Sequence, residues 1–376
     1  LIAIPFWDYP IHITISLMLL AIADPVAAIV GKNITKPVSY TILDDQKTVQ
    51  GSAAMFICSM IIVFILSNYF FHDWDIGFQI VAAISIGLAV TLAEALSYKG
   101  SDNLTIPITA FLFIELFNHI NKNQLMIDNF HFVALIILIL LISYKKKQLS
   151  MSGYIGAVIM AIFLYGFGGS SYIYPLVVFF ITSSILSHFK KDNVKIKKSN
   201  RNISQVYANG GIALFICIIN HFYYHDLMYP CFLASVAAAN SDTWGTELGK
   251  MSNKTPIDII SRHKTEPGTS GGITLIGTIG SILGSLVIGI VGHFFYISLN
   301  LLLLVIISGF LSSIIDSILG STFQARYISA DGFIITEKYK KSFYLFTGSN
   351  KINNDIVNIY CTLSGPFIFL LLLSFI

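Results

Sequence analysis

GITLIGTIGSILGSLVIGIVGHFFY (272–296) and LNLLLLVIISGFLSSIIDSILG (299–320) follow one another with only two residues between them. Apart from His293, the pair carries one side chain that is charged at neutral pH, Asp316. Each run is long enough to cross the roughly 30 Å hydrocarbon layer as a helix. Reading outward, similar runs fall at 11–31, 52–71, 76–96, 104–120, 131–144, 151–168, 172–188, 206–220, 228–245 and 356–376, which predicts twelve transmembrane helices in all. Composition agrees. Of 376 residues, 55% are hydrophobic and 11% charged, with a mean hydropathy of +0.74, whereas a soluble domain carries about 25% charged residues. The expected fold class is an all-α polytopic membrane protein.

Charge placement fixes the orientation. If the loops alternate sides and 32–51 is cytoplasmic, the cytoplasmic loops hold 22 of the 23 Lys and Arg residues, and only Lys122 falls outside. That is the positive-inside pattern. The net charge of +3 therefore needs no nucleic acid to explain it. Cys58, Cys217, Cys231 and Cys361 all lie in apolar runs without metal-ligand spacing and read as small buried hydrophobes. There is no signal-peptide pattern, and a chain starting at Leu1 is expected to lack an N-terminal piece.

The chain also repeats itself. ADPVAAIVGK (23–32) and SDTWGTELGK (241–250) both read Asp, six residues, Gly-Lys, and Tyr-Pro precedes each helix (9–10 and 229–230). KTVQGSAA (47–54) and PGTSGGIT (267–274) then lead into the next helices, which matches Gly51 with Gly271. Glu94 and Asp316 follow, then Asp102-Asn103 and Asn354-Asp355. Four intervening helices keep the copies in the same orientation, so a parallel repeat is expected.

Acids inside apolar segments are expensive and mark function. Asp24, Glu94, Asp242, Glu247 and Asp316 all fall toward the cytoplasmic ends of their helices, which describes one acidic pocket per copy. Within 242–249, Asp242, Thr246 and Gly249 share a helical stripe. PGTSGG (267–272) is a Gly/Ser/Thr loop entering a helix, suited to an anion through its backbone N–H groups and the Thr269 and Ser270 hydroxyls. Lys250, Arg262, His263 and Lys264 flank it. Acids opposite a phosphate loop point to Mg²⁺ bridging carboxylates and phosphate oxygens, and so to phosphoryl transfer. Neither a P-loop nor a kinase signature is present.

The bland readings stand beside these. A Gly/Ser stretch at a membrane helix start is commonly packing, and an acid near a helix end is commonly solvated. Glu115 and His119 read as structural, and FKKDNVKIKKSNR (189–201) as a solvated membrane-surface loop. Gln205 and Asn209, in QVYANGG (205–211), are expected to join the pocket. RYISADGFIITEKYKKSFYLFTGSNK (326–351) alternates around Asp331-Gly332 like a β-hairpin, a flap inserted in the second copy.

AAANSDTWGTELG (237–249), EPGTSGG (266–272), SSIIDSILGS (312–321) and NDIVN (354–358) together resemble the phytyl-phosphate kinase family, over about 129–376. ADPVAAIVGK, KTVQGS (47–52) and AEALSYKGSDNLTIPI (93–108) resemble the later part of the phytol kinase and dolichol kinase family, over about 1–120. Members of that second family usually carry Gly where Ala23 stands, and their basic N-terminal motif is absent from this sequence. The domains expected are a partial phytol/dolichol kinase-like module at 1–120, an extracytoplasmic linker at 121–130 and a phytyl-phosphate kinase-like module at 131–376.

The resemblance implies Mg²⁺-dependent phosphorylation of a long-chain isoprenoid alcohol by CTP, then of its monophosphate. It makes Asp242, Glu247, Asp316, Asp24 and Glu94 the catalytic acids. Asp242, Glu247, Asp316, Asp355, Asp24 and Asp102 become metal ligands. Lys250, Lys264, Gly268, Thr269, Ser270, Gly271 and Asn354 hold the nucleotide in copy two, as Lys32, Lys47, Gly51 and Asn103 do in copy one. The expected partners are the isoprenoid, the nucleotide and membrane lipid, with the site on the cytoplasmic face of a bacterial-type inner membrane. Two other classes compete, a CTP-dependent lipid cytidylyltransferase and a transporter. Transporter sites lie near the bilayer midplane, while these polar residues cluster at one face.

Overall fold

A computed structural model describes residues 3–42, 45–97, 100–123, 136–187, 200–295, 297–329, 335–337 and 343–376. The chain divides into two compact units, Leu1–Asn129 and Phe130–Ile376. The first holds α1 (Pro10–Asn33), α2 (Val49–Phe70), α3 (Ile76–Ala95) and α4 (Asp102–Asn123), with an antiparallel hairpin of β1 (Ser39–Ile42) and β2 (Asp45–Thr48) before α2. The second holds α5 (Ile136–Lys145), α6 (Met151–Leu186), α7 (Ile203–Phe222), α8 (Met228–Met251), α9 (Leu275–Phe294), α10 (Leu299–Thr322) and α11 (Asn354–Leu373). Short strands lie between these helices. β3 (Ile257–Asp258) pairs with β4 (Gly272–Ile273), and β5 (Arg326–Ser329) lies between β6 (Ile335–Thr336) and β7 (Phe343–Thr347). The segment read as a hairpin is thus a three-stranded sheet; Asp331 and Gly332 lie outside the described residues.

Among the described residues, nine helices are long and apolar enough to cross a membrane. The segments at 151–168 and 172–188 join in the 36-residue α6, broken at Gly169 by a φ of 68°. At 1.5 Å per residue that helix would be about 54 Å straight, too long for one crossing. Gly is the residue that takes a positive φ without strain. The segment at 131–144 leaves a ten-residue helix, α5, among the described residues. α8 is long enough but carries Asp242, Glu247 and Lys250.

Polar residues set the helix starts. Thr48, Asp75, Ser150, Thr274, Ser298 and Asn353 each accept the N–H of the third residue onward, and Asn202 forms a full capping box with Gln205. In α1 a wide π-turn at Leu19–Ala23 precedes Asp24-Pro25. Pro25 has no N–H and crowds the carbonyl four residues back, and the extra residue of a π-turn relieves this.

The first unit packs around Ile15, Leu19, Met55, Ile86, Val90 and Ile114. In the second unit α8 is the hub. Twelve consecutive residues, Pro230 to Ser241, are buried on every face, against α6, α7, α9, α10 and α11. Without water there is no hydrophobic drive between helices, so close packing of small residues takes over. A Cβ on Gly284 would meet the Asn240 carbonyl oxygen at 2.7 Å, one on Gly309 the Ala237 Cβ at 2.7 Å, and one on Gly365 the Ala234 carbonyl oxygen at 2.5 Å. A helix shielded from lipid in this way can end in acids.

The match of Gly51 with Gly271 does not hold in three dimensions. A Cβ on Gly51 would meet the Gly31 Cα at 3.5 Å and Thr48 Oγ1 at 2.9 Å; one on Gly277 would meet the Gly249 Cα at 3.3 Å and Thr274 Oγ1 at 3.0 Å. Thr48 and Thr274 also cap their helices alike, each accepting the N–H of Gly51 or Gly277. Gly277, rather than Gly271, thus has surroundings like those of Gly51. The spacing grows from 20 residues (31 to 51) to 28 (249 to 277), and PGTSGG lies within the longer stretch.

Candidate functional site

Beyond its buried run, α8 opens into a cavity of about 850 Å³ within the second unit. Two hydrogen bonds fix the helix at the cavity edge. Asn240 Nδ2 donates to the Gly284 carbonyl at 2.7 Å, and Ser241 Oγ donates to the Ser281 carbonyl at 2.8 Å. The next residue, Asp242, enters the cavity and lies beside Asp316 from α10. Asp316 Oδ1 is buried and accepts no hydrogen bond among the described residues. Two adjacent carboxylates repel each other, so the pair either shares a proton or holds a cation. Glu247 also lines the cavity, and Lys250 Nζ donates to its Oε1 at 3.3 Å. Asp355 and Asn354, at the start of α11, complete the acidic side.

Gly268, Thr269, Ser270 and Gly271 line the same cavity. Gly268 and Gly271 have φ of 89° and 82°. A Cβ on Gly271 would lie 2.6 Å from the Ser321 Cβ and 2.9 Å from the Ser317 carbonyl oxygen, so only Gly lets the loop sit against α10. The loop does not run straight into a helix as expected, because β4 and the Thr274 cap intervene. One of its N–H groups faces an anion: Ser270 N–H donates to Glu337 Oε1 at 2.8 Å.

A further layer holds the loop. Arg326 donates to the carbonyls of Ser270 and Gly320 and sits 3.7 Å from Asp258. Asp258 Oδ1 accepts N–H bonds from Ile260 (3.0 Å) and Ser261 (2.8 Å), and the Ser321 hydroxyl donates to the same carboxylate at 2.8 Å. Burial pushes the Asp258 carboxyl up, but the Ser261 N–H, the Ser321 hydroxyl and the Ile260 N–H together hold it below its ordinary value.

Gln205 and Asn209 line the cavity as expected. Lys264 does not; it is exposed, and its backbone bridges Ile257. Arg262 and His263 are exposed as well. Sequence reading missed Arg201, Lys146 and Lys147, which line the cavity, and Asp258, Arg326 and Glu337, which position the loop.

In the first unit, Lys47 from β2 ion-pairs with the buried Glu94 of α3. Burial pulls the Lys47 ammonium down. Glu94, with Asp102 and Asp24 nearby, more than offsets this and holds it above its ordinary value. Lys47 directly precedes the Thr48 cap; the residue before the Thr274 cap is Ile273. Gly51 is spent on helix contact rather than on a phosphate loop, as its Cβ distances show. Lys32 is exposed, and Asn103 turns to the Gly100 carbonyl at 3.3 Å.

Residues 134–366 match the family described as Integral membrane protein DUF92. The chain belongs to the DUF92 family. The Uncharacterized membrane protein MJ0933 of Methanocaldococcus jannaschii is 31% identical over 238 residues, covering 62% of this chain and 90% of the relative. Protein PGR of Arabidopsis thaliana is 29% identical over 260 residues, covering 60% of this chain and 89% of that protein. No solved structure matches. The DUF92 region contains the whole cavity between Lys146 and Asn358.

Proposed function

We propose that this DUF92 protein is a membrane isoprenoid kinase, moving phosphoryl groups from CTP to a long-chain isoprenoid alcohol and to its monophosphate. One observation carries the reading. Asp242 and Asp316 share a polar cavity with a glycine loop whose Ser270 N–H already rests on a carboxylate oxygen, Glu337 Oε1. Acids and an anion-accepting loop in one cavity suit a nucleotide triphosphate.

The residues fit a hard divalent cation, because the donors are all carboxylate oxygens and Asp316 Oδ1 is buried without a partner among the described residues. Asp242, Asp316, Glu247 and Asp355 would hold Mg²⁺. When bound, Mg²⁺ neutralises phosphate charge and orients the phosphate oxygens. The protein's own part is positioning. Lys250 and the 268–271 loop hold the nucleotide phosphates in line with the acceptor. A monophosphate acceptor attacks through an oxygen that is already deprotonated; its bond to the γ-phosphorus forms as the bond to CDP breaks. An alcohol must lose its proton as it attacks, and an unpaired carboxylate can take it. In the first unit Asp24 is the group suited to that, since Glu94 is paired with Lys47. The basic residues flanking the helices support a cytoplasmic site.

Asp242→Asn and Asp24→Asn, each assayed with a panel of isoprenoid alcohols and monophosphates, test the reading. The first is expected to stop diphosphate formation and the second monophosphate formation. A parent protein that phosphorylates neither class sinks it.

A further inference from the structure

Beside the polar cavity lies a partly open apolar slot of about 90 Å³, lined mainly by α5, α6 and α7. Ile139, Met160, Ala161, Leu164, Leu176 and Val206 line its length. Four residues line both spaces: Phe179, Arg201, Gln205 and Asn209. The two spaces therefore adjoin at a collar that holds one cation and two amides.

The collar is built rigidly. Arg201 N–H donates to the Gln148 carbonyl at 2.9 Å, and its own carbonyl accepts from Ser150 N–H at 2.9 Å. A Cβ on Gly153 would lie 2.1 Å from the Arg201 carbonyl oxygen, so that backbone approach requires glycine. The guanidinium sits 5.9 Å over the Phe180 ring, at the slot wall. Asn202 caps α7 with Gln205, and Asn209 Nδ2 donates to the Gln205 carbonyl at 2.9 Å. Lys146 and Lys147 line the cavity on the same side.

An apolar slot ending in fixed positive charge is complementary to a molecule with one hydrocarbon tail and an anionic head. We propose that the slot takes the head-proximal part of the chain of a single-chain lipid monophosphate, the rest of the chain lying in the bilayer, with the phosphate at Arg201, Gln205 and Asn209, facing the Asp242–Asp316 cavity. Arginine suits this because its planar fork bonds phosphate in two places. The assignment of this lipid as phosphoryl acceptor rests on the kinase reading above; its binding does not.

The test is equilibrium binding to the purified full chain in detergent, without nucleotide. The probes are farnesyl monophosphate, farnesol and a two-chain phosphatidic acid. Arg201→Met is expected to weaken farnesyl monophosphate binding at least tenfold while leaving farnesol within about twofold, which also shows that the variant is folded; Arg201→Lys is expected to recover part of the loss. Ala161→Phe is expected to weaken both single-chain ligands about tenfold. A diazirine on the head-proximal isoprene of farnesyl monophosphate is expected to crosslink to α5, α6 or α7. Unchanged monophosphate binding in Arg201→Met, crosslinks outside these helices, or tighter binding of phosphatidic acid each overturn the proposal. The two readings separate cleanly. Binding as stated with no phosphoryl transfer from any nucleotide removes the kinase and leaves the slot. Lipid phosphorylation with parental KM in both Arg201→Met and Ala161→Phe removes the slot and leaves the kinase.

Discussion

Replacing Gly284 by Ala adds one methyl group where α9 crosses α8. Its Cβ would lie 2.7 Å from the Asn240 carbonyl oxygen, 3.0 Å from the Asn240 carbonyl carbon and 3.1 Å from the Ser241 Cα. All three atoms are backbone, so no side chain can swing away and the helices must part. Overpacking of this kind costs about 1–3 kcal/mol. Parting the helices also stretches the bonds from Asn240 to Gly284 and from Ser241 to Ser281, at about 0.6 kcal/mol each in membrane proteins. Ala returns about 1 kcal/mol of helix propensity over Gly. The net expectation is a loss of about 1–3 kcal/mol. Gly211→Ala is the control, since its Cβ would meet nothing closer than 3.7 Å and the propensity gain stands alone. Thermal or steric-trap unfolding in detergent measures both variants. Asp242 follows directly after Ser241, so Gly284→Ala should also lower activity. A Gly284→Ala protein as stable as the parent, or a Gly211→Ala protein equally destabilised, would refute the close-packed hub.

Three further outcomes follow from the geometry. Lys47→Met strands the buried Glu94 and is expected to cost about 2–4 kcal/mol, the part-exposed lysine tempering the figure for a fully buried pair; Lys47→Met/Glu94→Gln should recover most of it in the same unfolding assay. Asp258 titrates below its ordinary value, so its contribution is full above about pH 4 and is lost as pH falls through the lowered folded value. Asp258→Asn should therefore be less stable at pH 7 and lose less stability on acidification than the parent. Glu337→Ala releases the Ser270 N–H and is expected to lower the KM for nucleotide several-fold in steady-state kinetics; an unchanged KM would show that the loop does not meet phosphate.

Much of this was legible from residue type. Apolar runs ended by Ser, Thr, Asn or Asp gave the helices and their caps, and costly acids beside a Gly/Ser/Thr loop gave one side of the cavity. Whatever depends on packing was not. The burial of α8 follows from glycines on three other helices, none of which its own composition reveals. Asp258 is 63 residues from Ser321, and Glu337 is 67 from Ser270, so nothing local announces either contact. Arg201 sat in a basic run read as solvated, and only the bridge to Gln148 and Ser150 turns it inward. Gly51 and Gly271 were matched by letter; their Cβ surroundings separate them.

The central claim is that the phosphoryl group itself moves to lipid. Purified protein with an isoprenoid alcohol, its monophosphate and Mg²⁺ should transfer label to lipid from CTP labelled in the γ-phosphate and none from CTP labelled in the α-phosphate, with CDP accumulating. Label arriving from the α-position with release of pyrophosphate, or no label in lipid from either position, would contradict it.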